Sequence, residues 1–324
     1  VLGTAVMLLV SKFNYQRLRG AGRALIYVSV IFLILVIIPH NPIAVTAKGA
    51  TRWLKIGIEF QPSEIVKFAL ILCFASMITI WGPKRMRTFR YGILPFVAII
   101  GVIALLLVKQ PHLSATVIIG VTGIVMIFLG GANLAWLISM GVAGVAGCVG
   151  LIFLLPHAMA RVKVWLDPFS DFRGDGWQGA QSLMSIGSGG FWGLGLGQGR
   201  QKHLFLPEPA NDFIFSVVCE ELGMVGAVLI MIVFAALIVR GFQIALRAPD
   251  RFGTLLVAGI TTQIAVQTIF NMGVVTGLLP VTGAALPFFS YGGSSIITLY
   301  TAMGIVSSIR ARTLPSWLRD RNQL

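Results

Sequence analysis

Asp212 stands where a polar segment meets an apolar one, in FLPEPANDFIFSVVCEELG (205–223). A carboxylate so placed can cap the helix that follows, accepting from its first free N–H groups. It can also act in catalysis as a proton acceptor. Spacing alone favours the cap. Glu64 and Lys67, in FQPSEIVKFALILCF (60–74), are three residues apart and so share one face of a helix. Lys67 lies about a turn and a half inside an apolar run, where ionisable groups usually face a cavity and serve function. A snorkelling surface ion pair is the plainer alternative. Arg52 in KGATRWLKIG and Arg161 in MARVKVWLDP carry forked guanidinium groups suited to carboxylate or phosphate oxygens, though interfacial anchoring would use them equally well. The glycine-rich GSGGFWGLGLGQG (187–199) lacks the preceding strand of a nucleotide fingerprint. It reads as a tight loop at a membrane surface, with backbone N–H groups that could help hold a pyrophosphate.

These groups are set in a chain of 324 residues that is 56% hydrophobic and 11% charged, with a mean hydropathy of +0.89. A soluble domain is about a quarter charged, so the composition excludes one and indicates a single polytopic membrane domain over residues 1–324. The net charge of +14 is gathered in short clusters between apolar runs, not in an aromatic-laced stripe, which argues against nucleic acid as a partner. Cys73, Cys148 and Cys219 stand singly in or beside apolar segments and share no ligand spacing with the four histidines. Neither a disulfide framework nor a zinc site is expected.

Apolar runs fall near 1–12, 24–38, 62–80, 91–108, 114–129, 134–155, 213–240, 253–275 and 290–309, giving about nine spanning helices. The first is too short to span and is expected to be the tail of a helix that begins before Val1. The basic clusters at 12–23, 82–90, 240–251 and 310–324 fall on one face if the chain alternates sides. The positive-inside rule makes that face cytoplasmic, with the C-terminus inside. Of the 11 acids, all but Asp250 and Asp320 then lie on the outer side or in the outer part of a helix. The one long connection, 156–212, is rich in Trp, Phe and Leu, and is expected to be a folded, partly re-entrant outer lid. Within it QGAQSLMSIG forms an amphipathic helix with Leu183, Met184 and Ile186 facing lipid or core.

Five phrases occur together in order: GATRWLKIGIEFQPSEIVKFALIL, RVKVWLDPFSD, GDGWQGAQSLMSIGSGGFWGLGLGQG, FLPEPANDFIFSVVCEELG and NMGVVTGLLPVTGAALPFFSYGGSS. By these the chain resembles the SEDS proteins (shape, elongation, division and sporulation), the FtsW, RodA and SpoVE group of bacterial peptidoglycan polymerases. The resemblance implies an all-α bundle of ten spanning helices in the bacterial cytoplasmic membrane, the first of them preceding Val1. It implies that lipid II is polymerised outside the membrane, with a class B penicillin-binding protein and other divisome or elongasome membrane proteins as partners. Asp212 matches the family's essential aspartate, while Arg52, Glu64, Lys67, Arg161 and Glu208 become candidates for binding substrate. Ala210 stands where histidine is usual. In QPHLSAT, His112 replaces the acid of Q-P-D-L-G-T, so a metal or proton relay through that acid is not implied.

The implied reaction needs a sugar hydroxyl to displace a lipid pyrophosphate at an anomeric carbon. Asp212 would remove the hydroxyl proton, and attack opposite the leaving group would invert the centre. Arg52, Arg161, Lys67 or a divalent cation (Mg2+ or Mn2+) would stabilise the departing charge. A flippase for the lipid-linked precursor is the alternative from another class.

Overall fold

The computed structural model describes residues 1–47, 50–154, 156–203 and 205–313. Each of the nine apolar runs coincides with a helix. These are α1 (Leu2–Lys12), α2 (Leu18–Ile37), α3 (Pro62–Met86), α5 (Leu94–Lys109, preceded by the one-turn α4, Phe89–Gly92), α6 (Leu113–Leu129), α7 (Leu134–Leu154), α10 (Ile214–Leu246), α11 (Arg251–Val275) and α12 (Gly293–Thr313). Among the described residues, five helical spans are long and apolar enough to cross a membrane: Tyr15–Ile37, Pro62–Met86, Phe89–Lys109, Ile214–Leu246 and Arg251–Val275. The chain is a multi-pass, essentially all-α membrane protein.

One element departs from that reading. Three short strands form an antiparallel meander: β1 (Ala44–Ala47), β2 (Ala50–Ile56) and β3 (Ile58–Phe60). Gly57 makes the β2–β3 turn with φ of 74°, in the left-handed region that favours glycine. Leu54 is fully buried while its neighbours Lys55 and Ile56 are exposed.

The chain divides into two compact units. The first comprises residues 1–137, 238–266 and 292–324. At its centre runs α3, opened by Pro62 at the first helical turn, where a missing N–H removes no intrahelical bond. It is buried nearly all round from Pro62 to Ile78, as an interior membrane helix must be. Helices approach closely at glycines: a Cβ on Gly22 of α2 would lie 2.9 Å from the Leu72 carbonyl oxygen of α3. In the same unit Tyr15 donates to the Asp250 carboxylate, and Ser308 of α12 donates to the Phe13 carbonyl at 2.7 Å.

The second unit comprises residues 138–237 and 267–291. Its apolar core is built from Leu206, Phe213, Phe215, Phe234, Val275 and Leu286 with smaller neighbours. The long connection 156–212 is folded here, as helices α8 (Pro156–Leu166) and α9 (Trp177–Gly189) with tight turns between them. Trp165 and Trp177 pin it, donating from Nε1 to the carbonyls of Gly277 and Phe205. The face that α9 buries most deeply is its small and hydroxylated one. Ala180, Gln181, Ser182 and Ser185 are buried, Leu183 and Ile186 only partly so, and Met184 is exposed. The reason is closeness to α10: a Cβ on Gly189 would sit 2.0 Å from the Cys219 carbonyl oxygen. Only small residues fit such a seam, and Ser182 and Ser185 hydrogen-bond across it to Ser216 and Glu220.

Candidate active site

In the second unit the segment before α10 carries Asp212. The first helical residue is Ile214, and the Phe213 carbonyl accepts the opening bonds from Ser216 and Val217. Phe213 therefore holds the N-cap position and Asp212 precedes it, one place outside where capping by a side chain is strongest. Asp212 is half-buried. Its carboxylate lies against Gly283, whose φ is 69° and where a Cβ would come within 3.0 Å of Oδ2.

Two loops meet around this carboxylate, 205–213 and 276–291, and side chains sew their backbones together. Asn271 of α11, fully buried, donates from Nδ2 to the carbonyls of Asp212 (2.8 Å) and Ala284. Gln267, one turn earlier, donates to Ala285 at 2.8 Å. Ser290 donates to the Asn211 carbonyl at 2.6 Å and accepts from the Leu286 amide at 2.7 Å. The Tyr291 amide donates to Ala210. Glu208 accepts from Asn211 Nδ2 at 2.6 Å. Glu208 and Phe288, one on each loop, have φ of 52° and 67°. A non-glycine residue in that region costs about 1–2 kcal/mol, and such strain gathers at functional sites.

Behind Asp212 the glycine-rich loop is fastened to α10. Glu220, 1% exposed, accepts from the amides of Arg200 (2.8 Å) and Gln201 (3.2 Å) and from Ser185 Oγ. Glu221 accepts from the Gly197 amide at 2.9 Å and from Lys202 Nζ at 2.5 Å. Gly193, Leu194, Gly195 and Gln198 donate to the carbonyls of Gly189, Glu220, Glu221 and Gly195. These particular N–H groups are thus engaged within the protein and are not available to a pyrophosphate.

The first unit brings together Arg52, Glu64, Lys67 and His112. Lys67 Nζ lies 2.8 Å from Glu64 Oε1, and both residues are buried. Arg52 on β2 donates from Nε to the Gln110 carbonyl at 3.2 Å and from Nη2 to Pro111 at 2.5 Å, closing the α5–α6 turn. Gln110 reaches the Leu33 carbonyl of α2 at 2.9 Å. His112, just outside α6, is buried with Nδ1 lacking a hydrogen-bond partner among the described residues. Burial above all, and then Arg52, push its pKa down to about 4, against the opposite pull of Glu64. The ring is neutral at physiological pH. Arg161 lies in α8, but its side chain is outside the described residues. Among the described residues no three His, Cys, Asp or Glu side chains converge to hold a metal ion.

Asn271, Ser290, Gly283 and Glu220 were not singled out by the sequence reading. For Asn271 and Glu220 the signal was present: a polar or acidic residue inside an apolar run is worth a functional question.

A family model described as cell cycle protein, that of FtsW, RodA and SpoVE, matches residues 1–314. Stage V sporulation protein E of Bacillus subtilis (strain 168) is 40% identical over 310 residues, covering 95% of this chain and 84% of its own. The probable peptidoglycan glycosyltransferase FtsW of Trichlorobacter lovleyi is 39% identical over 312 residues, covering 96% and 81%. A chain from the structure of a peptidoglycan synthase complex that coordinates polymerization and crosslinking superposes with a TM-score of 0.80 at 28% identity, over 97% of this chain and 88% of that one. The rod shape determining protein RodA of Thermus thermophilus gives 0.68 at 26% identity, over 97% and 86%.

Proposed function

The chain belongs to the FtsW, RodA and SpoVE family of cell cycle proteins, and from that premise we propose that it polymerises lipid II into glycan strands at the outer face of the bacterial cytoplasmic membrane, with Asp212 as general base. It is a peptidoglycan glycosyltransferase. The observation that carries the catalytic assignment is the mounting of Asp212: a half-buried carboxylate at the mouth of a membrane helix, its backbone gripped by Asn271 and its Oδ2 facing a residue with no side chain. A carboxylate held this firmly, against a glycine that lets the neighbouring loop come close, is fixed in place to meet an incoming hydroxyl.

The acceptor sugar hydroxyl gives its proton to Asp212 as its oxygen attacks the anomeric carbon of the donor. The bond from that carbon to the pyrophosphate breaks, and the lipid pyrophosphate leaves from the opposite face with its electron pair. Attack from the side away from the leaving group inverts the anomeric centre. Base assistance of this kind contributes about 10²–10⁴-fold. Glu208 orients the segment through Asn211. Arg52, Lys67 and Arg161 are the cations of the proposed substrate-binding set, with Glu64 holding Lys67 in place. Mg2+ or Mn2+ could supply further charge neutralisation, but no three His, Cys, Asp or Glu side chains among the described residues converge to hold it. The partner is a class B penicillin-binding protein, whose crosslinking would follow polymerisation, and the C-terminus is cytoplasmic.

The test is glycan synthesis from lipid II by purified protein in complex with that partner, comparing wild type with Asp212→Asn. Asparagine keeps the size and hydrogen-bonding oxygen but does not take up the proton. The variant should insert, melt and bind its partner as wild type while making almost no polymer. Near-normal polymer from Asp212→Asn moves the base elsewhere, and translocation of lipid II across vesicles without polymer replaces the polymerase reading with the flippase one.

A further inference from the structure

The geometry points to the loop around residues 190–198 as a re-entrant wedge seated in the outer edge of the bilayer, its apolar side chains in contact with the acyl chains of the surrounding lipid. The proposal rests on α10 being a membrane span, and not on the catalytic role of Asp212.

Its first support is depth. The uncharged stretch Leu222–Val239 of α10 contains eighteen residues by its numbering, bounded by Glu221 on one side and Arg240 on the other. Regular helix runs from Met224, just past the kink at Gly223, to Val239, and at 1.5 Å per residue it is ~24 Å long, near the hydrocarbon thickness of a bilayer. The loop is hydrogen-bonded to α10 at the acidic end of this stretch and beyond it. Met224 and Val225 donate to the carbonyls of Gly190 (2.9 Å) and Phe191 (3.3 Å). Gly190 and Phe191 are therefore tied to the first two residues of that helix, at the outer edge of the hydrocarbon-length segment.

Its second support is the side chains. Trp192 is 83% exposed, Leu196 76% and Phe191 65%. They continue an apolar surface already presented by Met224, Val225, Leu229 and Ile232 of α10, all exposed. A span's exposed face meets lipid, and tryptophan concentrates where hydrocarbon gives way to headgroups.

The third is independent of both. Non-helical backbone at membrane depth is tolerated only when its polar groups are satisfied by protein. Seven amides between Gly193 and Gln201 are so satisfied: those of 193, 194, 195, 197, 198, 200 and 201. Glu220 and Glu221 supply the carboxylates for three of these bonds, and Lys202 neutralises Glu221. A loop standing in water would have less need of a buried Glu220 and a part-buried Glu221 to quench its N–H groups.

Site-directed spin labelling decides the matter. Single cysteines replace Trp192 or Leu196 in the full chain, with Cys73, Cys148 and Cys219 changed to alanine, and the labelled proteins are reconstituted in phosphatidylglycerol–phosphatidylethanolamine vesicles. Ile232 provides a lipid-facing reference and Asp171 an aqueous one. The expected result is that oxygen relaxes labels at 192 and 196 more strongly than nickel ethylenediaminediacetate does, as at 232. Nickel dominance at both positions, as at 171, overturns the proposal. Nickel dominance that vanishes when the penicillin-binding partner is added also overturns it, and makes this face a protein-docking surface. Retained binding of that partner certifies that a labelled variant is folded. Should the label at 192 disturb folding, the position at 196 gives the same reading.

Discussion

A buried histidine gives the residue scale its sharpest test outside Asp212. His112 sits beside Arg52 and Lys67, is neutral, and has a folded pKa of about 4 against an ordinary 6.5. Between these values the unfolded chain binds the proton that the folded one refuses. Stability from this group is therefore complete above pH 6.5 and is lost as pH falls toward 4, at up to about 1.4 kcal/mol per pH unit. His112→Gln should flatten that part of the profile. Thermal melts in detergent from pH 7.5 to 4.5 measure it, and equal acid sensitivity in both proteins contradicts the assignment. Asp212 was legible in the sequence because acids are scarce and its position matched a family motif, yet its mounting was not. Asn271 and Gly283 lie 59 and 71 positions away by number, and only folding sets one against its carbonyl and the other against its carboxylate.

At the scale of elements, the helices were readable because a bilayer demands long apolar runs. The three-stranded sheet was not, because AVTAKGATRWLKIGIEF has strands of three to seven residues and hardly any alternation to detect. The buried face of α9 escaped for a different reason: seams between membrane helices select small and hydroxylated residues, which hydropathy counts as neutral. The contact between the glycine-rich loop and α10 can be broken at one atom. Gly223 has φ of 66°, and a Cβ there would meet the Gly193 nitrogen at 2.4 Å. Gly223→Ala should destabilise by roughly 1–3 kcal/mol from its glycine-only backbone conformation alone, and further from the collision. Glu220→Gln should do less harm, about 1–3 kcal/mol, by weakening the bonds to Arg200 and Gln201. In either variant trypsin should cut faster after Arg200 or Lys202 than in wild type. Unchanged cleavage would show that the loop does not depend on this fastening.

For the whole molecule, the distribution of charge predicts sidedness. A cysteine placed at Asp171 should react with a membrane-impermeant maleimide added outside cells, and one at Arg87 should react only after the membrane is opened. Labelling in the reverse order would invert the topology and with it the placement of Asp212. The fastening of Glu220 and Glu221 also bears on how the protein is made. Ribosomes deliver the chain from its N-terminus, so in the proposed orientation the loop amides and Lys202 have crossed the membrane before either acid emerges. The donors are already waiting when α10 threads into the bilayer. Its two carboxylates need not be stranded at the hydrocarbon edge, because the segment translocated just before them serves as their receptor. Order of synthesis, as much as the finished structure, thus lets a membrane helix carry two adjacent acids at its outer end.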